Sequence, residues 1–294
     1  MKHKTQVYIS PENDHYRTRL THTLEVNQIA QTAGKALRLN QDLIEAIALG
    51  HDVGHTPFSH TGEEVLNRLL KEGFRHNENS IRVLTRLEKG RLGSGLNLSW
   101  EVLDGIEHHS GFGKKPCGCS TLEGQVVRFS DKIAYVQHDI DDSVRAGVLK
   151  VEDLSREYLD VLGYSHGERI STLVRDLIIQ TRKNIAAGKF EVGLSLQVDQ
   201  ALQGLRKFMF EEVYQGPVCM AERQRAVNVV EYVYSYFCKH PDRLPEFYQD
   251  IAFEDGSERG VADYISGMTD NYCVTVFKEL VMPRSFVPSS REWE

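Results

Sequence analysis

The sequence predicts an all-α fold built as a single large domain. Apolar residues recur at 3.6-residue spacing through most of its 294 positions. No convincing run of strand-like alternation appears, except a short piece at 189–196 that reads as extended. Hydrophobic content of 40% and charged content of 26% are ordinary for a globular chain long enough to bury a substantial core.

The first helix is expected from Tyr16. Val26, Ile29, Ala30, Ala33 and Leu37 form its apolar face, and His22 lies one turn before Val26 on that face. A lone histidine so placed is ordinarily a core residue satisfied by a carbonyl. Ahead of it, residues 1–15 are polar, and Tyr8-Ile-Ser-Pro11 reads as extended chain before a turn.

Gln41 to His51 reads as the second helix, with Asn40 and Asp42 supplying N-terminal capping chemistry. Gly54 and Pro57 stop it, so His51 and Asp52 project from a helix end into irregular chain. A helix from Thr61 to Lys71 follows, with Glu63 in its first turn, where a carboxylate favours the helix dipole. Gly73-Phe-Arg-His76-Asn interrupts the pattern, and Asn79 to Glu88 resumes it.

Residues 89–98 are glycine-rich but lack the spacing of a phosphate-binding P-loop, and no strand precedes them. A short helix runs from Ser99 to His109. The 111–119 loop carries Cys117 and Cys119, a pair that would need two further ligands to clip zinc and reads as a loop without metal. Five scattered cysteines make no disulfide framework.

Thr121 to Ala146 is the most informative helix. Val126, Phe129, Ile133, Val136 and Ile140 share one arc. Asp131, Tyr135 and Asp139 follow at i, i+4 and i+8 on another, flanked by Arg128 and Lys132. Most such stripes are solvated faces, but a tyrosine between two aspartates favours a pocket wall. Beyond residue 150, helices are expected near 151–160, 168–186, 196–213, 220–239 and 260–281. We divide the domain into a 1–150 core carrying the chemistry and a 151–294 helical part supplying pocket walls and oligomer contacts.

The formal net charge of −7 argues against nucleic-acid binding through a basic surface. No apolar run is long enough for a membrane span and no signal peptide is evident, so a cytoplasmic protein is expected. Of twelve histidines, His22, His51, His55, His60 and His76 fall within one short stretch at or beside helix ends. Imidazoles and carboxylates converging from three helices, His22, His51, Asp52 and Asp131, would suit a divalent cation that activates water.

The order His22, His51-Asp52, Asp131 resembles the H…HD…D pattern of the HD-domain phosphohydrolases. The resemblance extends through Arg19-Leu-Thr-His22, the run from His51 to Glu63, Phe74-Arg-His76-Asn, Leu122 to Tyr135, and Asp263-Tyr-Ile-Ser-Gly-Met-Thr-Asp270. Over most of the chain it is similar to the deoxynucleoside triphosphate triphosphohydrolases, the dGTPase-like group. This implies an HD-domain helical fold that hydrolyses a dNTP to deoxynucleoside and inorganic triphosphate. It implies that His22, His51, Asp52 and Asp131 hold a divalent metal: Mn, Mg, Co, Ni, Fe or Zn.

By the same resemblance, His60 backed by Glu63 is the catalytic histidine, and His55 and His76 line the phosphates. Arg19, Lys132 and Tyr135 contact phosphate oxygens, and Asp139 accepts from the sugar 3′-hydroxyl. A tetrameric or hexameric homo-oligomer, a dNTP activator and weak single-stranded DNA binding are further implications. Members of the group carry a segment ahead of Lys-His-Lys-Thr-Gln-Val, so this chain is expected to start late, at the expense of part of the nucleotide pocket or a regulatory interface. The 111–119 loop has no counterpart in the family pattern. Two alternatives stay open: another HD nucleotidase or phosphodiesterase, and a weakly active regulatory dNTP-binding protein.

Overall fold

The computed structural model describes residues 1–6, 17–91, 93–111 and 118–283. Among them are thirteen α-helices and almost no strand. The expected extended stretch at Tyr8–Pro11, the start of a helix at Tyr16, and Cys117 lie outside the described residues.

Helix α1 (Arg19–Leu37) begins where Thr18 accepts from the Thr21 N–H, and ends at left-handed Arg38 (φ 59°). Helix α2 (Gln41–Gly50) is capped by Asn40, whose side-chain oxygen accepts from the Asp42 and Leu43 N–H groups. Gly34 lets these two helices close: a Cβ there would lie 2.1 Å from Cδ1 of Ile44. Helices α3 (His60–Leu69) and α4 (His76–Arg82) follow. The stretch expected to continue as one helix to Glu88 instead changes at Val83–Leu87 to a single π-type turn. The glycine-rich segment after it holds a two-residue antiparallel ladder, Lys89–Gly90 against Gly93–Ser94, and it follows a helical turn where a P-loop would follow a strand.

Helix α5 (Trp100–Glu107) leads to the long α6 (Leu122–Arg145), with Thr121 as its N-cap. The polar arc of α6 is not a solvated face. Arg128, Lys132, Gln137, His138, Asp139 and Asp142 are all buried, because neighbouring helices surround it. Burial of such groups is tolerable only with partners. Arg169 Nε donates to Gln137 Oε1 at 2.5 Å, His138 Nε2 lies 2.8 Å from Glu25, and Arg17 pairs with Asp142 at 2.7 Å.

The second half contains α7 (Arg156–Leu162), α8 (His166–Ala186), α9 (Leu196–Phe208), α10 (Pro217–Lys239), α11 (Glu246–Asp255), α12 (Ser257–Gly267) and α13 (Asp270–Val281). Three expectations need correction. The 189–196 piece forms no strand; it crosses between helices, with the Val192 N–H donating to Gln125. The 260–281 helix is two helices, because Thr269 turns its side chain to accept from the Tyr272 N–H and starts α13 afresh. Helix α11 was not anticipated; it opens directly after Pro245.

Two apolar clusters hold these elements. One joins α1, α2, α5 and α6 to α7, α8 and α9 through residues such as Val26, Ile47, Ile106, Ile133, Leu173 and Leu205. The other packs Phe58, Val65, Leu66 and Phe74 against Val230 and Phe237 of α10, Val261 and Ile265 of α12, and Cys273 of α13. The stretch from His51 to Ser59 runs where the two clusters meet. Gly54 is required there, since a Cβ would lie 2.2 Å from the Ser80 nitrogen and 2.3 Å from the His76 carbonyl oxygen.

Candidate metal centre and active site

His51 closes α2, and its Nδ1 donates to the Ala48 carbonyl oxygen at 2.7 Å. That bond fixes the tautomer, so Nε2 carries a lone pair. Nε2 is buried and has no hydrogen-bond partner among the described residues. Around it, Asp52 Oδ1 lies at 3.6 Å and Asp131 Oδ1 at 3.9 Å. His22 Nε2 is 3.1 Å from the same Asp131 oxygen and 3.9 Å from Asp52 Oδ2. Thus α1, the end of α2 and α6 bring His22, His51 and Asp131 together, with Asp52 beside them, as the sequence predicts.

This set fits a divalent cation. A buried imidazole nitrogen fixed as an acceptor with nothing to accept from is what a metal ligand needs, and an N/O donor mixture suits Mn, Fe, Co, Ni or Zn. Burial pushes both aspartates up, but neighbouring imidazoles and a guanidinium reverse it. His51, His55 and Arg19 hold Asp52 well below the usual carboxylate range, and the bond from His22 and the field of His51 bring Asp131 down to about 2. Both are therefore charged at neutral pH.

A second group lies alongside. His60 Nδ1 is 3.1 Å from Glu63 Oε2, and the Glu63 Oε1 accepts from both the backbone N–H and Nδ1 of His76 at 2.9 Å. Burial raises the Glu63 carboxyl, but bonds from His60 and His76 drive it far below its ordinary value. Burial opposes charge on His76, and Glu63 outweighs it, raising His76. His55 stacks on His76 at 4.1 Å between ring centroids, and its Nε2 lies 3.1 Å from Asp52 Oδ1. Burial, Arg19 and His76 hold His55 well below its ordinary value, so it is neutral. The His60 side chain remains 72% exposed, facing the cavity that the other groups floor.

Of the predicted residues, Arg19, His22, Asp52, His55, His60, His76, Asp131, Lys132 and Tyr135 line one cavity. His51 and Glu63 stand directly behind its wall. Asp139 does not reach it: the carboxylate is fully buried and accepts from the Tyr214 hydroxyl. Burial, more than any charge, raises Asp139 to about 7. Arg19 is also more engaged than a free phosphate contact would be, donating to Asp52 Oδ2 at 2.5 Å and to Ser59. Tyr135 stacks on Tyr214, and burial pushes its phenol up to about 12.

Sequence reading missed His109, Arg206 and Tyr214. His109 and Arg206 line the cavity and Tyr214 covers Asp139. An adjacent His108-His109 pair at a helix end was the available signal, of the same kind as His51-Asp52. Arg206 lies in an ordinary amphipathic helix that carries no such signal. Cys119 is buried, its Sγ donating to the His108 carbonyl oxygen at 3.4 Å, and among the described residues no metal-capable cluster includes a cysteine.

The approach to His60 is strained and clamped. Phe58 and Ser59, neither a glycine, adopt φ of 59° and 57°. Such residues cost about 1–3 kcal/mol each and persist only when surroundings impose them. Here Asp270 Oδ1 accepts from the Phe58 N–H at 2.9 Å, and Thr56 Oγ1 donates to the Ser59 carbonyl at 2.8 Å. Asp270 Oδ2 accepts from the N–H and hydroxyl of Thr5. Lys4 Nζ, buried, donates to the carbonyls of His55 (2.5 Å) and Ser266 (2.6 Å). Asp263 accepts from Arg82 and Arg259, so the Asp263–Asp270 motif ties α4, the site loop and residues 4–5 to α12 and α13.

The all-helical fold and this donor set have their counterpart in known proteins. The HD domain profile matches residues 19–136, and a phosphohydrolase-associated domain profile matches 192–279. These define the class, a phosphohydrolase of HD type. A deoxyguanosinetriphosphate triphosphohydrolase-like protein from Clostridium tetani is 57% identical over 286 residues, spanning 97% of this chain and 81% of its own length. Another so named, from Caldanaerobacter subterraneus subsp. tengcongensis, is 56% identical over 96% of this chain and 80% of its own. One from Geobacter sulfurreducens is 40% identical over 96% and 84%. The chain belongs to the deoxyguanosinetriphosphate triphosphohydrolase-like family of HD-domain phosphohydrolases. Among its described residues no helix is long and apolar enough to cross a membrane.

Proposed function

We propose that the protein hydrolyses deoxynucleoside triphosphates to deoxynucleoside and inorganic triphosphate, with a divalent metal held by His22, His51, Asp52 and Asp131. The observation that carries this reading is the buried, partnerless Nε2 of His51 facing two charged carboxylates at the floor of the cavity. The name of the relatives points to the same substrate class.

A metal bound there supplies Lewis acidity toward a phosphoryl oxygen and lowers the pKa of bound water. The chain's own groups do the rest. Arg19, Lys132 and Arg206 line the cavity and offset the charge of a polyphosphate leaving group. Glu63 holds His60 by Nδ1, leaving its Nε2 to pass a proton to or from an oxygen at the α-phosphate. Tyr135 offers a neutral hydroxyl, since its raised pKa keeps the proton on. Asp139 becomes available to a sugar hydroxyl once Tyr214 moves off it, and among the described residues its other oxygen has no hydrogen-bond partner.

The test is incubation with each dNTP and Mn²⁺ or Mg²⁺, separating products by charge. Triphosphate in equal amount to deoxynucleoside is expected, and it should vanish in Asp52→Ala. Orthophosphate or pyrophosphate would instead indicate another HD nucleotidase. No product with any metal would leave a binding protein. The proposal includes a tetrameric or hexameric assembly, for which the exposed Phe190, Leu196 and Phe253 are contact candidates; a one-chain mass by light scattering would overturn that part.

A further inference from the structure

Helices α1 and α6 pack side by side and meet through two crossed histidine–carboxylate pairs. His22 of α1 sets its Nε2 3.1 Å from Asp131 of α6, and His138 of α6 sets its Nε2 2.8 Å from Glu25 of α1. Spacing brings both pairs together: His22 and Glu25 are one helical turn apart, and Asp131 and His138 are two. The two imidazoles touch edge to face, with ring centroids 5.8 Å apart and planes at 89°. His22 and Asp131 line the cavity, whereas the second pair stands behind them and reaches solvent only through Glu25. Glu25 is held in turn by Arg17 Nε at 3.4 Å, and His166 stacks on His138, so that ring is oriented from two sides.

Proton positions on the two rings follow from their partners. A carboxylate oxygen only accepts, so His138 Nε2 carries a proton toward Glu25. Burial, against the pull of Glu25, brings His138 down to about 4, so the ring is neutral and holds no second proton. Its Nδ1 is therefore an acceptor, and it is buried without a hydrogen-bond partner among the described residues. His22 is the complement. With Nε2 given to a metal, its one proton sits on Nδ1, and that atom too is buried without a partner among the described residues. One orphaned donor and one orphaned acceptor thus lie on two rings in contact, where leaving either unpaired is costly. Edge-to-face contact leaves the bond between them within reach of a small turn of either ring.

We infer that His138 is a positioning residue for the metal site: its Nδ1 accepts from the Nδ1–H of His22, and Glu25 orients it through Nε2. The inference rests on the metal-binding part of the proposed function and not on the substrate. A ligating histidine binds with one nitrogen and donates its other N–H to an acceptor behind it, which fixes tautomer and ring angle and raises basicity. His51 follows that pattern through the Ala48 carbonyl. His22 has neither carbonyl nor carboxylate at its Nδ1, and a neutral imidazole backed by a carboxylate supplies the missing acceptor. The line from Glu25 through His138 to His22 strengthens the ligand without setting a further anion beside the ion.

The test uses the full chain, stripped with chelator and titrated with Mn²⁺, the free ion being read by its EPR signal in solution. His138→Phe keeps an aromatic ring and removes the acceptor, and its Kd for Mn²⁺ should rise about 10–100-fold, the usual cost of losing such a partner. His138→Asn puts an amide oxygen near the place of Nδ1 and should recover most of that loss. Glu25→Gln still accepts from His138 but lacks the charge, and its Kd should rise by less. In the Co²⁺-loaded wild type, proton NMR should show a paramagnetically shifted, solvent-exchangeable N–H signal for each of His22 and His51, and His138→Phe should lose or broaden one. A wild-type Kd in His138→Phe, both N–H signals unchanged in it, or equal weakening in the Phe and Asn variants would assign His138 to packing and overturn the inference. Should His138→Phe fail to fold, Glu25→Gln decides, and an unchanged Kd there overturns it. No Mn²⁺ bound by the wild type would instead sink the metal reading and this inference with it. None of these readouts uses triphosphate release, so the substrate reading stands or falls separately.

Discussion

Asp131 and Asp139 sit two turns apart on α6 and were read from the sequence as one stripe, yet they have opposite environments. Asp131 faces His22 and His51 and is held at about 2, fully charged. Asp139 faces Tyr214, is completely buried, and rises to about 7. Both are desolvated; the difference is whether cationic or neutral donors meet the carboxylate. One end of the stripe keeps negative charge among imidazoles that could hold a metal, and the other is a hydrogen-bonding corner closed by a phenol.

The largest effects should come from the charged end. Asp131→Ala or Asp52→Ala removes a metal-facing carboxylate and should reduce triphosphate release on the order of 10³-fold or more, equivalent to several kcal/mol. Circular dichroism should stay helical; residual activity within tenfold of wild type would erase the contrast between the two aspartates. His60→Ala should cost about 10²–10⁴ in kcat with a smaller change in KM, as loss of a proton-transfer group does. An unchanged kcat would remove His60 from the chemistry.

The two aspartates should also show opposite pH signatures in metal-free protein. Asp139 has a folded pKa above its unfolded value near 3.9, so the native state binds the extra proton. Its contribution is greatest at acid pH and is lost as pH rises toward and past about 7. Asp139→Asn should therefore gain melting temperature relative to wild type between pH 5 and 8, with a ceiling of about 4 kcal/mol at 1.36 kcal/mol per unit. Asp131, depressed to about 2, should stabilise above pH 4 and lose that contribution as pH falls toward 2. Parallel melting curves for wild type and Asp139→Asn would show that the corner titrates normally.

A smaller effect is expected at the clamp beneath the site. Asp270→Ala leaves the Phe58 N–H without its acceptor and should cost about 1–3 kcal/mol of stability. Because the strained Phe58-Ser59 turn leads into His60, kcat should fall several-fold while bound metal is unchanged. Loss of metal instead would place Asp270 in the ligand architecture.

Much was legible because it was local. The histidine cluster at helix ends, the acidic first turn of α3 and the capping of α2 are sequence-neighbour effects, and H…HD…D spacing carries a family with it. The polar arc of α6 was less legible. Whether Arg128, Gln137 or His138 meets water depends on α1, α5, α8 and α9 packed against it, and helix periodicity carries no information about what covers a second face.

By itself, the sequence determined the helical class through its periodicity, and its resemblance to the HD-domain phosphohydrolases singled out His22, His51, Asp52, Asp131 and the His60–Glu63 pair. Only the tertiary structure brought His109 of α5's end to within 3.3 Å of His76, put Arg206 in the cavity wall and turned Asp139 away under Tyr214. Those outcomes are set by how helices distant in sequence pack, and a few ångströms of that packing decide whether an imidazole is a core residue or a ligand.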